Sequence, residues 1–400
     1  MASFFQRGDF VPAAPSLRVR SRGPRRPAPL SRLTRAARSL LDTSLFRLIL
    51  VAIVVAAVSP DRVTQLVRAQ TAPPQQAQAQ APAAPLPRVY LFATGGTISN
   101  KTGGRLTVDE LIQSVPGLDR RVKAEGEQFL NVASGAITME QWLALSRKIN
   151  EKFKKDADLA GIVVTSGTDT LEELAYFLHL TVRDTRPVVV VGSMRNPSTT
   201  GYEGVANLED AFVVAADPAA KDMGTLVVLN DEINSAREVT KTDARALDTF
   251  SSHDYGILGT VYDRVQILRK PVRRHSAKSE FDVEKIEALP RVDVILTYQG
   301  APGDLIKAAV DNGAKGVVIA GAGAGAISGT QGEGMTYATE KGAFVVTTTR
   351  TGQGSIPGGR GASRRVGGDD LQPVKARILL MLALATTSEP ADVQRMFREY

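Results

Sequence analysis

The stretch VYLFATGGTIS, residues 89–99, passes from an apolar segment into a pair of glycines between two threonines. Its first half is a continuous apolar run, which predicts a strand buried on both faces. Gly95 and Gly96 allow positive φ angles and therefore a sharp turn after the strand. Such a turn can direct backbone N–H groups and the Thr97 hydroxyl at one point, as acyl transfer requires. A glycine turn capped by threonine hydroxyls is the plain structural alternative.

A second strand end repeats this chemistry in GIVVTSGTDTLEEL, residues 161–174. Thr168 and Asp169 fall at a predicted helix N-terminus, where one such residue is sufficient as a cap. The polar run 168–170 exceeds what capping needs, so the Asp169 carboxylate is also a candidate to hold an ammonium group. Because ligands of open α/β sheets bind at the carboxyl ends of the strands, we expect the two turns to meet there.

Lys241, flanked by two threonines in EVTKTDA, is a candidate partner for the second turn. An exposed side chain is the default interpretation of any single lysine. If the Lys241 amine lies beside Thr168 and Asp169, partly removed from water, it can instead act as a base. Both interpretations stay open at this level.

From residue 88 onward, β-branched runs alternate with amphipathic helical patterns. This rhythm predicts an α/β fold of two domains, a larger N-terminal one with a mostly parallel sheet and a smaller C-terminal one. The predicted strands span residues 89–93, 161–165, 188–191, 225–229, 292–296, 317–320 and 344–347. The predicted helices span residues 138–153, 169–182, 204–216, 303–313, 373–387 and 389–400.

The first part of the 400-residue chain differs in composition from the rest. About ten arginines and two acidic residues precede an apolar run, residues 48–58, that is shorter than the roughly twenty residues of a membrane span. We predict a targeting signal over residues 1–69, cleaved after Ala69, with a retained anchor or a mis-assigned start as alternatives. A Pro/Ala/Gln-rich linker follows over residues 70–87. The expected location is the periplasm or the medium, with membrane contact only through an uncleaved N-terminus.

Charge and cysteine content exclude several classes of function. The net charge of +7 reflects the arginine-rich start, so the folded part gives no reason to predict nucleic-acid binding. The absence of cysteine excludes disulfides, thiolate nucleophiles and most structural zinc sites. His179, His253 and His275 lack the spacing typical of metal ligands, and we assign them no catalytic role.

The polar stretch of residues 270–290 lacks the strand–helix rhythm. We therefore predict an N-terminal domain over 88–270, an interdomain linker over 271–290 and a C-terminal domain over 291–400. In the last of these, Gly321, Gly323 and Ala326 fit a dinucleotide-binding pattern, but no acidic residue for a ribose follows the next strand. We interpret that motif as a glycine-rich turn, with an oxidoreductase as the alternative. We interpret residues 359–360 as part of a mobile loop.

Eight motifs occur in one order along the chain: ATGGTIS, GEQFLNVASG, VVTSGTDTLEELAYFLHLTV, RPVVVVGSMRNPST, EGVANLEDA, EVTKTDA, SHDYGILG and QPVKARILLMLALA. In this combination the chain resembles the bacterial L-asparaginase/glutaminase family, specifically its exported type II branch, over nearly all of residues 88–400. The resemblance implies an amidohydrolase that converts asparagine to aspartate and ammonia, and that also accepts glutamine in some members. It implies no metal or organic cofactor. It further implies a homotetramer, a dimer of dimers, with sites completed by a neighbouring subunit.

The resemblance also implies which residues react. Thr97 would attack the amide carbonyl and form an acyl-enzyme. Thr168, Asp169 and Lys241 would form the second catalytic triad.

Five positions would bind the substrate in the same way. Ser134, in NVASG, would hold the α-carboxylate, with Gly167 and Thr168 beside it. Asp169 would hold the α-ammonium group. Gly96 and Thr168 would contribute to carbonyl activation or substrate contact.

The chain departs from the family pattern around the nucleophile and the substrate amino group. The family carries a tyrosine that hydrogen-bonds the nucleophilic threonine, yet no tyrosine lies between residues 91 and 175. Tyr202 is a substitute that does not align. Gly135 replaces a usual glutamine, Ser166 a frequent histidine, and Ala301 stands near a usual polar residue. Residues 351–370 lack an expected glutamate.

These departures weaken the contacts to the substrate ammonium group while the reacting residues remain. We expect amidase chemistry with looser recognition of the α-amino group and a modest affinity for free asparagine. A relaxed or different amide substrate is one alternative. A secreted binding protein without turnover is another, and the missing tyrosine keeps it open.

Overall fold

The structure is a computed structural model and describes residues 85–358 and 363–400. The predicted signal, the linker up to residue 84, and Gly359 and Arg360 lie outside these residues. An eight-stranded sheet and a four-stranded sheet organise the described chain, with two short two-stranded hairpins beside them. This arrangement, with helices packed on both sheets, confirms the predicted fold class.

From residue 85 onward, the N-terminal part contains twelve described strands, of which eight belong to the larger sheet. The strands are β1 (Arg88–Gly95), β2 (Asn100–Lys101), β3 (Gly104–Arg105), β4 (Lys123–Val132), β5 (Leu159–Thr165), β6 (Val188–Val191), β7 (Thr225–Leu229), β8 (Glu232–Ser235), β9 (Thr240–Lys241), β10 (Phe250–Ser251), β11 (Gly259–Val261) and β12 (Val265–Ile267). The helices are α1 (Val108–Gln113), α2 (Met139–Lys155), α3 (Leu171–Thr181) and α4 (Gly204–Ala216).

The larger sheet is mostly parallel, with the strand order β12-β11-β8-β7-β6-β5-β1-β4. Strands β4, β1, β5, β6 and β7 run parallel, whereas β8, β11 and β12 are antiparallel. Helices α1 and α4 pack on one face, and α2 and α3 pack on the other. Since β1 and β5 are parallel neighbours, their carboxyl ends lie side by side.

The C-terminal part contains a second, fully parallel sheet of β13 (Val292–Leu296), β14 (Gly316–Gly321), β15 (Phe344–Thr349) and β16 (Arg365–Gly367). Its helices are α5 (Asp304–Asp311), α6 (Gln331–Glu340), α7 (Pro373–Thr386) and α8 (Pro390–Glu399). Helices α5 and α6 cover one face of this sheet. Helices α7 and α8 lie in the same hydrophobic core as α2 and α3 of the N-terminal part, so the two parts share one core.

The segment predicted to link the two domains is packed rather than loose. It contains two 3₁₀ turns, Ser276–Lys278 and Val283–Lys285. Phe281, Val283 and Ile286 are buried in the core shared by α3 and α7. The polar spacing of the segment conceals these anchors, because each apolar side chain is separated by charged neighbours.

Two further sequence features are placed by the structure. After β14, Ala322 and Ala326 form an isolated antiparallel bridge, and α6 begins only at Gln331. The glycine motif is therefore a closed turn whose backbone pairs with itself, and it does not open directly onto a helix as a dinucleotide site requires. Among the described residues, no helix is both long and apolar enough to cross a bilayer.

Candidate active site

The first glycine turn forms at the end of β1. Gly95 and Gly96 have φ angles of 105° and 86°, in the region that favours glycine. The Gly96 N–H donates to the carbonyl oxygen of Val132 at 2.9 Å, which holds the turn against the end of β4. The 3₁₀ turn Thr97–Ser99 follows at once, so Thr97 is the first side chain beyond the glycines.

Thr94 ties the ends of β1 and β5 together. Its hydroxyl donates to the carbonyl oxygen of Thr165 at 2.6 Å, and its N–H donates to the Thr165 hydroxyl at 3.2 Å. Both threonines are buried. The Thr94 hydroxyl therefore has a structural role, and the two turns are fixed side by side.

The backbones of the two turns touch. A Cβ atom on Gly96 would lie 2.2 Å from the Gly167 nitrogen, a distance that no side chain tolerates. A Cβ atom on Gly167 would lie 2.8 Å from the Ser134 Oγ atom. Glycine at both positions thus brings Thr97, Ser134 and Thr168 to one place, because each is on or beside a contacting turn.

Lys241 lies against the second turn. Its Nζ atom donates to the Thr168 hydroxyl at 3.0 Å and to the Asp169 Oδ1 atom at 2.9 Å. Thr168 is buried, the Lys241 side chain is 15 % exposed and the Asp169 side chain is 85 % exposed. The amine is thus largely screened from water, whereas the carboxylate faces the open side where a substrate can reach it.

The Lys241 backbone is held by a residue that the sequence did not single out as part of the site. The Glu172 Oε1 atom accepts the Lys241 N–H at 3.2 Å. No feature of the sequence LEEL distinguishes Glu172, which is buried in the fold, from its neighbour Glu173.

Thr97 is half-buried, and its hydroxyl has no hydrogen-bond partner within residues 85–358 and 363–400. Tyr202, the suggested substitute for the family tyrosine, does not serve as that partner. Its hydroxyl donates to the carbonyl oxygen of Ile98 at 2.7 Å, and burial raises the pKa of Tyr202 above its usual range. Tyr202 therefore supports the backbone beside Thr97 and leaves the Thr97 hydroxyl free.

A tight hairpin follows the first motif. Strands β2 and β3 pair directly, with Gly103 in the turn at a φ of 81°. The Thr102 N–H donates to the Ser198 hydroxyl at 2.8 Å, which anchors the hairpin. Arg105, which the sequence analysis did not select, donates from Nη1 to the Gly96 carbonyl oxygen at 3.4 Å and brings a positive charge close to the Thr97 backbone.

The substrate-binding side of the candidate site is open. Ser134 begins the 3₁₀ turn Ser134–Ala136 and is buried. A Cβ atom on Gly135 would meet no atom within 4 Å, so the position of the usual glutamine is unfilled space. Ala301 is buried in its own turn.

Histidine and acidic clusters do not suggest a metal site. Among the described residues, no group of three or more histidine and acidic side chains is placed to hold an ion. His179 is buried, accepts the Thr225 N–H at Nδ1 and lies with its ring 4.9 Å from the ring of His275. Burial, with the neighbouring His275, lowers the pKa of His179 well below its usual value, so His179 is a neutral core residue.

Comparison with known families agrees with this geometry. The family described as asparaginase, N-terminal, matches residues 88–273, and the glutaminase/asparaginase C-terminal domain matches residues 291–397. The chain belongs to the asparaginase family. The expected type II branch is supported by curated relatives that are 35–43 % identical to the chain over most of its length.

Three curated relatives illustrate the similarity of this asparaginase-family chain. An L-asparaginase 2 from Bacillus subtilis is 43 % identical over 79 % of this chain and 87 % of the relative. A probable periplasmic L-asparaginase from Haemophilus influenzae is 37 % identical over 80 % of this chain and 94 % of the relative. A glutaminase-asparaginase from Pseudomonas fluorescens is 36 % identical over 79 % of this chain and 91 % of the relative.

Proposed function

We propose that the protein is an L-asparaginase that hydrolyses L-asparagine to L-aspartate and ammonia and also accepts L-glutamine. The observation that carries this proposal is the contact of the Lys241 Nζ atom with Thr168 and Asp169. That group lies at the turn whose backbone touches the turn before Thr97. The names of the curated relatives, asparaginases and glutaminase-asparaginases, support the same reaction.

In the proposed reaction, the Thr97 oxygen attacks the side-chain amide carbon of the substrate. A new C–O bond forms, the C–N bond breaks, and the nitrogen leaves as ammonia with the proton taken from the Thr97 hydroxyl. Lys241 and Thr168 accept and return protons during these steps. Water then cleaves the ester, releasing aspartate and restoring Thr97.

The substrate is proposed to bind between Ser134 and Asp169. The Ser134 hydroxyl and the backbone at Gly167 and Thr168 would hold the α-carboxylate, and the exposed Asp169 carboxylate would hold the α-ammonium. Because Asp169 is already bound by Lys241 and the space at Gly135 is unfilled, fewer groups remain for the ammonium. Each missing charge-assisted hydrogen bond costs about 1.5–3 kcal/mol. We therefore expect a KM for asparagine well above the micromolar range; a micromolar KM would refute this.

The test is ammonia release from asparagine, glutamine and a panel of simple amides. We expect turnover by the wild-type protein and none by Thr97→Ala or Lys241→Met. Thr102→Ala and Lys221→Met, which alter an exposed threonine and an exposed lysine, serve as matched controls and should retain activity. Full activity in Thr97→Ala would overturn the nucleophile assignment.

A relaxed amidase is the second candidate, and the open space at Gly135 favours it. In that case the same assay gives faster turnover with amides that lack an α-ammonium group. A binding protein without turnover gives asparagine binding in calorimetry and no ammonia with any amide.

We propose a homotetramer as the assembly. Large apolar side chains are exposed on the C-terminal part, with Leu296 at 52 % and Leu305 at 55 %, and a second copy would bury them. Light scattering on the purified protein measures the assembled mass. A monomeric mass at micromolar concentration would contradict the proposal.

We propose a periplasmic location, with residues 88–270 and 291–400 as the two domains. The printed name of the Haemophilus influenzae relative includes a periplasmic location and supports this. Sequencing the N-terminus of protein recovered from the periplasm tests cleavage after Ala69. Recovery only from the cytoplasm, with the N-terminus intact, would contradict export.

A further inference from the structure

Lys375 is a fully buried lysine that the proposed reaction does not use. It lies in the first turn of α7, with no exposed side-chain surface. Its Nζ atom donates to the carbonyl oxygen of Arg237 at 3.0 Å and to that of Val239. Lysine is almost never fully buried unless it is paired, so this position has a specific requirement for the amine.

The Lys375 amine also faces Glu172. The Glu172 Oε2 atom lies 3.9 Å from Nζ and has no hydrogen-bond partner within the described residues. Its other carboxylate oxygen, Oε1, accepts the backbone N–H of Lys241. One glutamate thus contacts both the buried lysine and the lysine of the candidate site.

These contacts hold the segment that leads into Lys241 from two sides. Lys375 binds carbonyl groups two and four residues before Lys241, and Glu172 binds the N–H of Lys241 itself. Glu172 is also in the first turn of α3, three residues after Asp169. The acceptors of the Lys241 amine therefore lie in the turn that leads into α3, and the anchor of its backbone lies in the first turn of that helix.

We propose that Glu172 and Lys375 are positioning residues that hold the Lys241 backbone so that its Nζ atom reaches Thr168 and Asp169. This inference rests on the proposed function, because it gives Lys241 a part in the reaction. It predicts a loss of kcat that is larger than the change in KM. Ser134 and Gly167 do not contact this group, whereas Asp169 is held by the Lys241 amine.

A neighbouring ion pair provides the matched control. Glu173, the next residue of α3, lies 3.9 Å from Arg377, which is two residues beyond Lys375 in α7. The Arg377 Nε atom donates to the carbonyl oxygen of Val292, in the C-terminal sheet. This pair joins the same two helices but does not contact the Lys241 segment.

The first experiment compares Glu172→Ala with Glu172→Gln. Alanine removes the acceptor of the Lys241 N–H, and we expect kcat to fall by about tenfold to a hundredfold with a much smaller change in KM. Glutamine keeps a carbonyl oxygen in that place and should restore most of kcat. A kcat near wild type in Glu172→Ala, or a glutamine variant as slow as the alanine variant, would overturn the proposal.

The second experiment compares Lys375→Met with Arg377→Met. Each variant loses one interhelical ion pair, and its melting temperature shows at which temperatures it is folded. At a temperature at which both variants are fully folded, Lys375→Met should have a lower kcat than Arg377→Met. Equal kcat in the two variants would overturn the role of Lys375. If Lys375→Met does not fold, the two Glu172 variants decide the matter.

Lys241→Met separates this inference from the proposed function. If Lys241→Met remains active, the proposed function fails and the positioning role fails with it. If Lys241→Met is inactive while the Glu172 and Lys375 variants match their controls, only the positioning role fails.

Discussion

At the scale of single residues, the candidate site depends on Gly96 and Gly167, because the lack of a Cβ atom lets their backbones come into contact. Gly96 is required twice, once for its positive φ and once for its approach to the Gly167 backbone. The first requirement is visible in the sequence, because a Gly-Gly pair after a strand predicts a sharp turn. The second requirement involves Gly167, which is 71 positions further along the chain, and it becomes apparent only in the folded structure.

Asp210 is a half-buried carboxyl group with an unusual titration. Burial, together with the nearby Asp231 and Glu209 carboxylates, raises the pKa of Asp210 to about 7. The folded state therefore binds a proton that the unfolded chain, with a pKa of about 4, releases earlier. The stability that this proton contributes is complete below pH 4 and is lost as the pH rises toward 7.

The substitution Asp210→Asn tests this titration, because it replaces the carboxyl group with a neutral side chain of the same shape. Relative to wild type, the melting temperature of the variant should rise as the pH increases from 5 to 8. Thermal unfolding followed by circular dichroism across this range measures the difference. A difference that does not change with pH would contradict the assigned titration.

At the scale of elements, apolar periodicity predicted the central strands well and the edges poorly. The predicted ranges 188–191, 225–229 and 292–296 coincide with β6, β7 and β13. Strand β4 was not predicted, because its sequence KAEGEQFLNV is polar and it lies at the sheet edge, only partly buried. The short antiparallel strands β8, β11 and β12 were also not predicted, because their sequences EINS, GTV and VQI lack the continuous apolar run that marks the four-residue strand β6.

For the candidate site, the sequence likewise shows the residues that lie in local motifs but not those that reach the site through long-range packing. Thr97, Thr168, Asp169 and Lys241 lie in motifs that the sequence displays, and their proposed roles follow from the family resemblance. Lys375 lies in a largely apolar helix, and its sequence neighbours do not indicate that its amine contacts carbonyl groups on another element. Such long-range contacts depend on how the elements pack and are not encoded in any short window.

Arg237 and Asp370 join the loop before Lys241 to the loop before α7. The Arg237 side chain is 3 % exposed, and its Nη1 and Nη2 atoms lie 2.9 Å and 2.6 Å from the Asp370 carboxylate. Burial disfavours the charged form of Asp370, but the hydrogen bonds from Arg237 and Tyr255 outweigh it and hold the Asp370 pKa well below its usual range.

We expect Arg237→Met to destabilise the protein by about 3–5 kcal/mol at pH 7, because the largely buried Asp370 carboxylate loses its charged partner and keeps only the Tyr255 hydroxyl as a hydrogen-bond donor. The wild-type advantage is present above pH 4 and should shrink as the pH falls further, when the unfolded carboxylate becomes protonated. Urea unfolding at pH 7 and pH 3 measures both values. Arg291→Met, which removes the more exposed pair with Asp293, is the control and should cost no more than about 1 kcal/mol. Equal losses in the two variants would contradict the expectation.

At the scale of the whole molecule, the candidate site draws on the chain from β1 to α7. The first turn, the second turn, the Ser134 turn and the Lys241 strand come from the N-terminal part, and Lys375 comes from the C-terminal part. Every one of these contacts lies between residues 88 and 375. The described residues, 85–358 and 363–400, also belong to one compact unit by their own contacts.

A chain that begins at Pro85 should therefore fold and retain the kcat and KM of the full-length protein, because its site and cores are complete. Steady-state ammonia release and a melting curve on both chains provide the comparison. A chain that begins at Tyr90 is the matched control. It loses Arg88, whose guanidinium group donates to the Asp156 carboxylate at 2.7 Å and 2.8 Å, and it shortens β1, so its melting temperature should fall. If the Pro85 chain folds with the full-length melting temperature but releases no ammonia, the N-terminal region takes part in the reaction, and the proposed site is incomplete.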